Sequence, residues 1–167
     1  MPIGSLRKIS RRSTYGASGS ETPNARPVAL LLRIRALVDL ERYAEWNPFT
    51  PRAETDRVVG HPIVLHVDFG GRRPMRRVET VRRFDPGVEL RWGMTMGPGW
   101  WFRAERWQRV DVLGPERCRY ATGDEFEGLF APVVYASYGA KVRRGFEAVA
   151  RALAARALEP GHSPTAA

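Results

Sequence analysis

From His61 to Phe126 apolar and polar residues alternate with a period of two, and glycine and proline interrupt the alternation at intervals. A period of two places successive side chains on opposite faces of a strand. Glycine and proline at the interruptions supply the backbone angles of tight turns. The interruptions are Gly70-Gly71, Asp85-Pro86-Gly87, Gly97-Pro98-Gly99 and Gly114-Pro115-Glu116. This stretch therefore predicts an antiparallel sheet of consecutive hairpins, with an apolar face that another element has to cover.

The covering element is predicted at the end of the chain, as a helix from Leu129 to about Leu158. Its apolar residues recur at spacings of three and four, which places them along one face of a helix. Pro160-Gly161 is a stop signal for this helix. The stripe consists of Tyr135, Tyr138, Val142, Phe146, Val149 and Leu153.

The segment Tyr43–Phe49 precedes the strands and reads YAEWNPF. Pro48 lacks an amide donor and disfavours helical geometry at the preceding residue, so a helix is predicted to end there. The string LVDLERYAEWNPF, followed by strands and a long final helix, resembles the START-like superfamily over roughly Ala36 to Glu159. Within it, the chain looks most like the bacterial polyketide cyclase/dehydrase-type (SRPBCC) proteins. The resemblance implies an α+β helix-grip fold, a curved antiparallel sheet wrapped around a long C-terminal helix with an internal apolar cavity.

The domain organisation predicted from this pattern is a ligand-binding domain over residues 35–159, a basic arm over 1–34 and a frayed tail over 160–167. The polar, turn-rich Ser13–Asn24 stretch predicts that residues 1 to about 30 stay outside the sheet. Three alternatives are open: a first strand displaced to Leu6–Tyr15, a disordered arm, or a start of the reading frame that is not authentic. Without a first strand the edge of the last strand is unpaired, which favours self-association.

The net charge of +9 is concentrated at the N-terminus. Residues 1–35 hold seven basic side chains and one acidic side chain, while the rest holds 20 basic and 17 acidic ones. A body with both signs interspersed is typical of an ordinary solvated surface, so we predict no nucleic-acid partner. The longest apolar run is too short and too charged to span a bilayer, so no membrane insertion is predicted. Cys118 is the only cysteine, which suits a cytoplasmic location.

The turns also predict a strand register. Pairing residues symmetrically about Pro86 places Arg83 opposite Glu89, and pairing about Pro98 places Arg91 opposite Glu105. Pairing about Pro115 places Asp111 opposite Arg119, Arg106 opposite Asp124 and Glu105 opposite Glu125. Opposite charges across a ladder each stabilise a sheet by about 0.2–1 kcal/mol.

The same register defines the rows of side chains under the helix. They read Val78, Met94 and Phe102; Thr80, Trp92, Ala104 and Phe126; Arg82, Leu90, Arg106 and Asp124; and Phe84, Val88, Gln108 and Thr122. An apolar concave surface with a few convergent polar groups is the usual composition of a small-molecule pocket. The alternative is that the polar side chains reach water at the open end of the sheet. The predicted ligand-binding residues are Trp46, Phe49, Leu65, Val67, Thr80, Leu90, Trp92, Met94, Phe102, Arg106, Gln108, Thr122, Asp124, Phe126, Tyr138 and Phe146.

Catalytic patterns are sparse. The three histidines offer no nucleophile–base arrangement, and no His, Cys or carboxylate cluster has the spacing of a metal site. Neither metal nor cofactor is therefore predicted. The leading function is binding of a hydrophobic small molecule such as a lipid, an isoprenoid or a polyketide-like compound. One alternative is a polyketide cyclase or dehydratase that uses Arg106 and Asp124. The other is a protein-interaction module, like the chaperone-activator branch of the superfamily, that uses exposed Trp101 and Trp107.

Overall fold

Seven antiparallel strands form one sheet in the computed structural model, which describes residues 8–18, 39–114 and 117–157. The spatial order is β1-β7-β6-β5-β4-β3-β2, so every strand from β2 to β7 lies beside its neighbour in sequence. The strands are β1 Lys8–Ser18, β2 Arg52–Glu54, β3 Pro62–Val67, β4 Met75–Asp85, β5 Glu89–Met96, β6 Phe102–Gly114 and β7 Arg117–Glu127. The series of hairpins predicted from the turn residues is thereby confirmed.

The first strand corrects one expectation. β1 pairs along β7 from Lys8 opposite Glu127 to Ser18 opposite Arg117. The prediction that this segment lies outside the sheet is therefore wrong for residues 8–18. A strand near Leu6–Tyr15 was among the alternatives, and β1 overlaps it. Because β1 covers the edge of β7, the reason for expecting self-association at that edge is removed. Residues 19–38 lie outside the described residues, and the proposed division into arm, domain and tail stays a prediction.

A long helix, α2, covers the concave face of the sheet from Ala131 to Ala157. It begins two residues later than predicted, because the backbone amides of Leu129 and Phe130 are bound by the carbonyls of Trp100 and Trp101 in the preceding turn. The lower part of its apolar stripe is buried against the sheet, at Val142, Phe146, Val149 and Leu153. Described residues include no helix long and apolar enough to cross a membrane.

Before β2, a 3-10 turn at Leu40–Arg42 leads into a one-turn helix, α1, at Tyr43–Trp46. This helix ends at the Asn-Pro step, as predicted. The Asn47 side chain stabilises the exit, since its Oδ1 accepts hydrogen bonds from the amides of Phe49 and Thr50 at 3.2 and 2.8 Å.

The predicted register holds between β6 and β7. Asp111 lies opposite Arg119, Arg106 opposite Asp124 and Glu105 opposite Glu125. The repulsion between Glu105 and Glu125 is reduced by the strand on the other side of β6, because Arg91 on β5 donates a hydrogen bond to Glu105 at 3.1 Å.

Between β5 and β6 the register is displaced by two residues from the prediction. Arg91 lies opposite Trp107 and not opposite Glu105. The five-residue connection from Gly97 to Trp101 is centred one residue later than Pro98, which moves every partner by two. A displacement of two residues preserves the face of each side chain. Arg91 therefore still reaches Glu105, but diagonally.

The largest departure is a β-bulge in β4. Val81 pairs with Trp92 and Arg83 pairs with Arg91, so Arg82 is an extra residue on this strand. A bulge changes which face the following side chains occupy. The predicted pairing of Arg83 with Glu89 is also wrong for the backbone, because the turn is centred on Gly87 and not on Pro86, so that Asp85 lies opposite Glu89. The side chains of Arg83 and Glu89 nevertheless form an ion pair at 3.4 Å.

Because of the bulge, the upper part of β4 presents the opposite set of residues to the helix. Val81 is fully buried, whereas Val78 is 52% exposed and Arg82 is exposed. The rows that place Val78, Thr80 and Arg82 on the concave face are therefore wrong. The residues facing the helix in this part of the strand are Arg77, Glu79 and Val81.

The convex face also differs from expectation. Trp101 is exposed, but Trp107 is only 6% exposed. The predicted pair of surface tryptophans is therefore reduced to Trp101, which lies edge-to-face with Phe130 at a centroid distance of 6.3 Å. A surface built jointly from Trp101 and Trp107 does not exist on this fold.

Candidate functional site

A cavity of about 230 Å³ lies between the concave face of the sheet and α2. Its walls come from β3 to β7, the loops after α1 and β3, and the first half of α2. The rim includes Met96 and Tyr138, which are 45% and 40% exposed, while Trp92 and Arg106 are buried at the inner end. The cavity therefore opens to solvent beside Met96 and Tyr138 and has its polar group Arg106 at the buried end.

Ten of the predicted ligand-binding residues line this cavity. They are Phe49, Leu65, Val67, Trp92, Met94, Phe102, Arg106, Asp124, Phe126 and Tyr138. Their shared position supports the predicted pocket, while their role in binding a ligand stays a prediction.

The other six predicted residues lie elsewhere. Trp46 packs edge-to-face on Tyr43 at a centroid distance of 5.1 Å, inside the core. Thr80 lies on the face of β4 that points away from the helix, because of the bulge. Phe146 does not line the cavity but contacts Arg106 from the helix side. The remaining three are Leu90, Gln108 and Thr122.

Leu90, Gln108 and Thr122 fill the closed end of the sheet and are nearly inaccessible. The Tyr43 hydroxyl donates to Gln108 Oε1 at 3.3 Å, and Thr122 Oγ1 donates to the Trp107 carbonyl at 2.9 Å. Burial also raises the pKa of the Tyr43 hydroxyl. These polar groups are satisfied within the core, which explains why their position on the concave face does not make them part of the cavity.

Seven lining residues were not among the predicted ones: Phe69, Arg77, Glu79, Met96, Ala104, Val134 and Val142. Phe69, Met96 and Val142 belong to the alternation and helical patterns, and Ala104 belongs to a predicted row, so their signals were present. Arg77 and Glu79 face the cavity only because of the extra residue in β4, and the sequence carries no local signal for that bulge.

Arg106 is the central polar group of the base, and it is 8% exposed. Its guanidinium carbon lies 4.4, 5.1 and 5.4 Å from the ring centroids of Phe146, Phe49 and Trp92. Within the described part of the chain, neither Nε nor Nη2 has a hydrogen-bond partner, and no ion pair joins Arg106 to Asp124. The two residues face each other as predicted, but the expected ion pair is not formed.

Two carboxyl groups accompany Arg106. Burial raises the pKa of Asp124 to about 7, against the opposing effect of the Arg106 charge, and nearby Glu79 raises it further. Burial also raises the pKa of Glu79, whereas Arg77 and Arg106 act to lower it. Asp124 therefore changes its charge near neutral pH, which an ordinary aspartate does not do.

Phe49 owes its place in the cavity wall to Gly145 on α2. A Cβ at position 145 would overlap the Phe49 ring, because the ring lies directly on the helix backbone there. Phe49 also contacts Phe146 and Phe69 edge-to-face, with centroids 5.9 and 5.6 Å apart. Glycine at position 145 thus allows the corner after α1 to seal one side of the cavity.

In the ranges that the structure describes, no group of three or more His, Cys, Asp or Glu side chains is able to hold a metal ion.

Solved structures resemble this chain over most of its length. An aromatase/cyclase, Zhui, from Streptomyces sp. R1128 has 19% identity and a TM-score of 0.62, and the match covers 90% of this chain and 94% of that one. A START superfamily protein from Mycobacterium smegmatis has 18% identity and a TM-score of 0.57 over 90% and 96% of the chains. Norcoclaurine synthase from Thalictrum flavum, in complex with dopamine and hydroxybenzaldehyde, has 13% identity and a TM-score of 0.65 over 95% and 91%.

No protein-family model matches this chain, and no curated protein matches it. At these identities the structural likeness establishes the fold alone. The strand order, the long C-terminal helix on the concave face and the three structural matches agree with the resemblance carried by the sequence. The chain has the START-like (SRPBCC) helix-grip fold.

Proposed function

We propose that this chain binds a hydrophobic small molecule in the cavity between the sheet and α2. The observation that carries the proposal is the cavity itself. Protein interiors are close-packed and rarely leave a void much larger than a water molecule, whereas this one has about 230 Å³. Its walls are mostly apolar, and its polar groups converge at the inner end, which is the usual composition of a ligand site.

The size of the cavity limits the ligand. An engineered apolar cavity of about 150 Å³ takes up benzene. The present cavity is about half as large again, which matches a bicyclic ring system or a compound of similar bulk. A larger lipid or polyketide would project through the mouth at Met96 and Tyr138. The printed description of one structural neighbour, norcoclaurine synthase, includes two small aromatic compounds, and by analogy of fold this supports the size class.

The test is a titration of the purified protein with a neutral fluorescent probe, N-phenyl-1-naphthylamine, whose emission rises in apolar surroundings. We expect saturable binding that is lost in Ala104→Phe, because position 104 lines the cavity. The matched control is Val112→Phe, an exposed site at the other end of the same strand. An unsaturable signal, or equal binding by both variants, would contradict the proposal.

If Ala104→Phe does not fold, native mass spectrometry decides. Protein purified from its own host should carry a co-purifying compound of low polarity, and its mass would identify the chemical class.

A second candidate is a polyketide cyclase or dehydratase. It is supported by Asp124, whose pKa of about 7 suits a group that exchanges protons at neutral pH. Arg106 beside it is suited to stabilise a developing oxyanion. The two candidates differ in their response to Asp124→Asn. A binding protein would change its affinity only modestly, whereas an enzyme would lose about 10²–10⁴-fold in turnover of a polyketide-type substrate while still binding it.

A further inference from the structure

The inner end of the cavity contains a guanidinium, that of Arg106, for which two donors find no acceptor in the described part of the chain. Arg106 is more than nine-tenths buried, and its Nε and Nη2 atoms have no hydrogen-bond partner within the described residues. A guanidinium keeps its charge in proteins and has donors but no acceptor. Buried donors of this kind are normally satisfied, since leaving them unpaired is unfavourable.

The same chain shows what these two atoms bind when an acceptor is present. In Arg42, Nε and Nη2 donate to the two carboxylate oxygens of Glu45, at 2.8 and 3.0 Å. Two parallel hydrogen bonds of this type are the usual geometry by which arginine binds a carboxylate. In Arg106 the corresponding pair of donors is unfilled.

The guanidinium of Arg106 is held in place by aromatic rings. Phe49, Trp92 and Phe146 lie within 5.4 Å of its central carbon, so that cation–π contacts stabilise the charge without using the N–H groups. Arg106 is therefore positioned for a ligand before the ligand arrives, which lowers the ordering cost of binding.

The neighbouring carboxyl groups do not compensate for the positive charge. Glu79 lies 3.9 Å from Arg77, which also contacts the sulfur of Met94. Asp124 is not ion-paired with Arg106 within the described residues, and burial raises its pKa to about 7, so it is neutral in slightly acidic solution. An anionic ligand therefore meets a net positive charge at the inner end of the cavity.

We propose that the ligand is an apolar acid, with a ring system of about naphthalene size, whose carboxylate is bound by Arg106 at the base of the cavity. This inference rests on the function proposed above and names the class of ligand. The apolar part of the ligand lies against the walls toward Met94 and Phe126, and the carboxylate completes the donor pair of Arg106.

The experiment compares 2-naphthoic acid with naphthalene-2-methanol, a neutral probe of nearly the same shape, by isothermal titration calorimetry at pH 6. Hydrogen bonds to a charged partner predict that the acid binds about tenfold or more tightly than the alcohol. Arg106→Gln should abolish this preference, so that the acid and the alcohol bind to the variant with similar affinity. The control Arg103→Gln changes an exposed arginine of the same strand and should leave both affinities unchanged.

The pH dependence of the two affinities tests the proposal without a variant. The groups facing Asp124 are Arg106 on β6, Arg77 and Glu79 on β4, and Tyr138 on α2, and Arg11 is its backbone partner on β1. As the pH rises from 6 to 8, Asp124 ionises and repels the ligand carboxylate. The acid should therefore bind several-fold more weakly at pH 8, whereas the affinity for the alcohol should be constant.

The outcomes separate the two proposals. Equal binding of acid and alcohol by the unmodified protein, or a preference that persists in Arg106→Gln, would refute the proposal that the ligand is an acid bound by Arg106. The apolar cavity would still be a binding site. If neither probe binds at about 1 mM and N-phenyl-1-naphthylamine also fails to bind, both the proposed ligand-binding function and the proposed acidic ligand are refuted.

Discussion

Replacing Asp124 by asparagine should stabilise the protein, and the stabilisation should grow with pH. The unmodified carboxyl is buried beside Arg106 without an ion pair within the described residues. Its folded-state pKa is raised, so ionisation favours the unfolded chain. Asparagine keeps the shape of the side chain and removes the charge. If Arg106 and Asp124 formed the ion pair that their places across the ladder suggest, removing one partner would instead lower the stability.

The magnitude follows from the two pKa values. The pKa of Asp124 rises from 3.8 to about 7 on folding, and each unit corresponds to about 1.4 kcal/mol. The unfavourable contribution is absent below the unfolded pKa, increases as the pH passes from about 4 to 7 and is constant above. It amounts to about 1.7 kcal/mol at pH 5 and about 4 kcal/mol at pH 8. The advantage of Asp124→Asn over the parent should therefore increase by about 2.5 kcal/mol between pH 5 and pH 8.

Urea unfolding of both proteins at pH 5, 6, 7 and 8 measures this difference. Effects of the amide itself and of titrating groups that do not interact with Asp124 cancel, because only the change of the difference with pH is read. Glu147→Gln, which removes an exposed carboxylate on α2, should give a difference that is flat across the same range. A flat profile for Asp124→Asn would refute the reasoning, because a carboxyl that is ionised and paired with Arg106 in the folded protein changes its contribution to stability only below about pH 4.

Two further changes test the packing around the cavity. Gly145→Ala should destabilise the protein despite a gain of about 1 kcal/mol in helix propensity, because the new methyl group overlaps Phe49 and overpacking costs about 1–3 kcal/mol. Gly139→Ala in the same helix should instead be neutral or stabilising in the same thermal unfolding assay. A Cβ at position 139 would lie 3.0 Å from the ring of Tyr135, a half-buried side chain that can shift by a few tenths of an ångström. Equal effects at the two positions would contradict this account. Trp92→Ala should lower the free energy of unfolding by about 3–5 kcal/mol and shift ligand preference toward larger ring systems in a binding competition, and an unchanged preference would mean that Trp92 does not limit the cavity.

The register between β6 and β7 could be predicted from the sequence because two opposite-charge pairs agree on it. Asp111 with Arg119 and Arg106 with Asp124 give the same centre of symmetry, and a slip of one residue would turn the apolar face outward. Next to the connection the register shifts between Val112 and Gly114, and this irregularity does not alter the pairs from Asp111 onward that the charges indicate. The apolar stripe of α2 could also be predicted from the sequence, because its residues repeat with the period of a helix.

Charge pairing was a poorer guide elsewhere, because long side chains reach diagonally. Arg83 contacts Glu89 and Arg91 contacts Glu105, although neither pair is opposite in the sheet. An ion pair between flexible side chains therefore fits two registers equally well. The centre of the Gly97–Trp101 connection depends on backbone angles such as the positive φ of Gly97, which a Gly-Pro-Gly string does not specify.

The bulge at Arg82 has a consequence for how such cavities diversify. One extra residue in β4 puts Arg77 and Glu79 in the cavity and turns Val78 and Thr80 outward. With the turn at Asp85–Gly87 holding the lower end, deletion of a single codon at position 82 would exchange the two faces of the upper strand. The cavity would lose an arginine and a glutamate and gain a valine and a threonine, without substitution of any lining residue. Length variation in a strand is thus a route by which a pocket loses two charged side chains in a single evolutionary step, while Arg106 and Asp124 on the neighbouring strands stay in place.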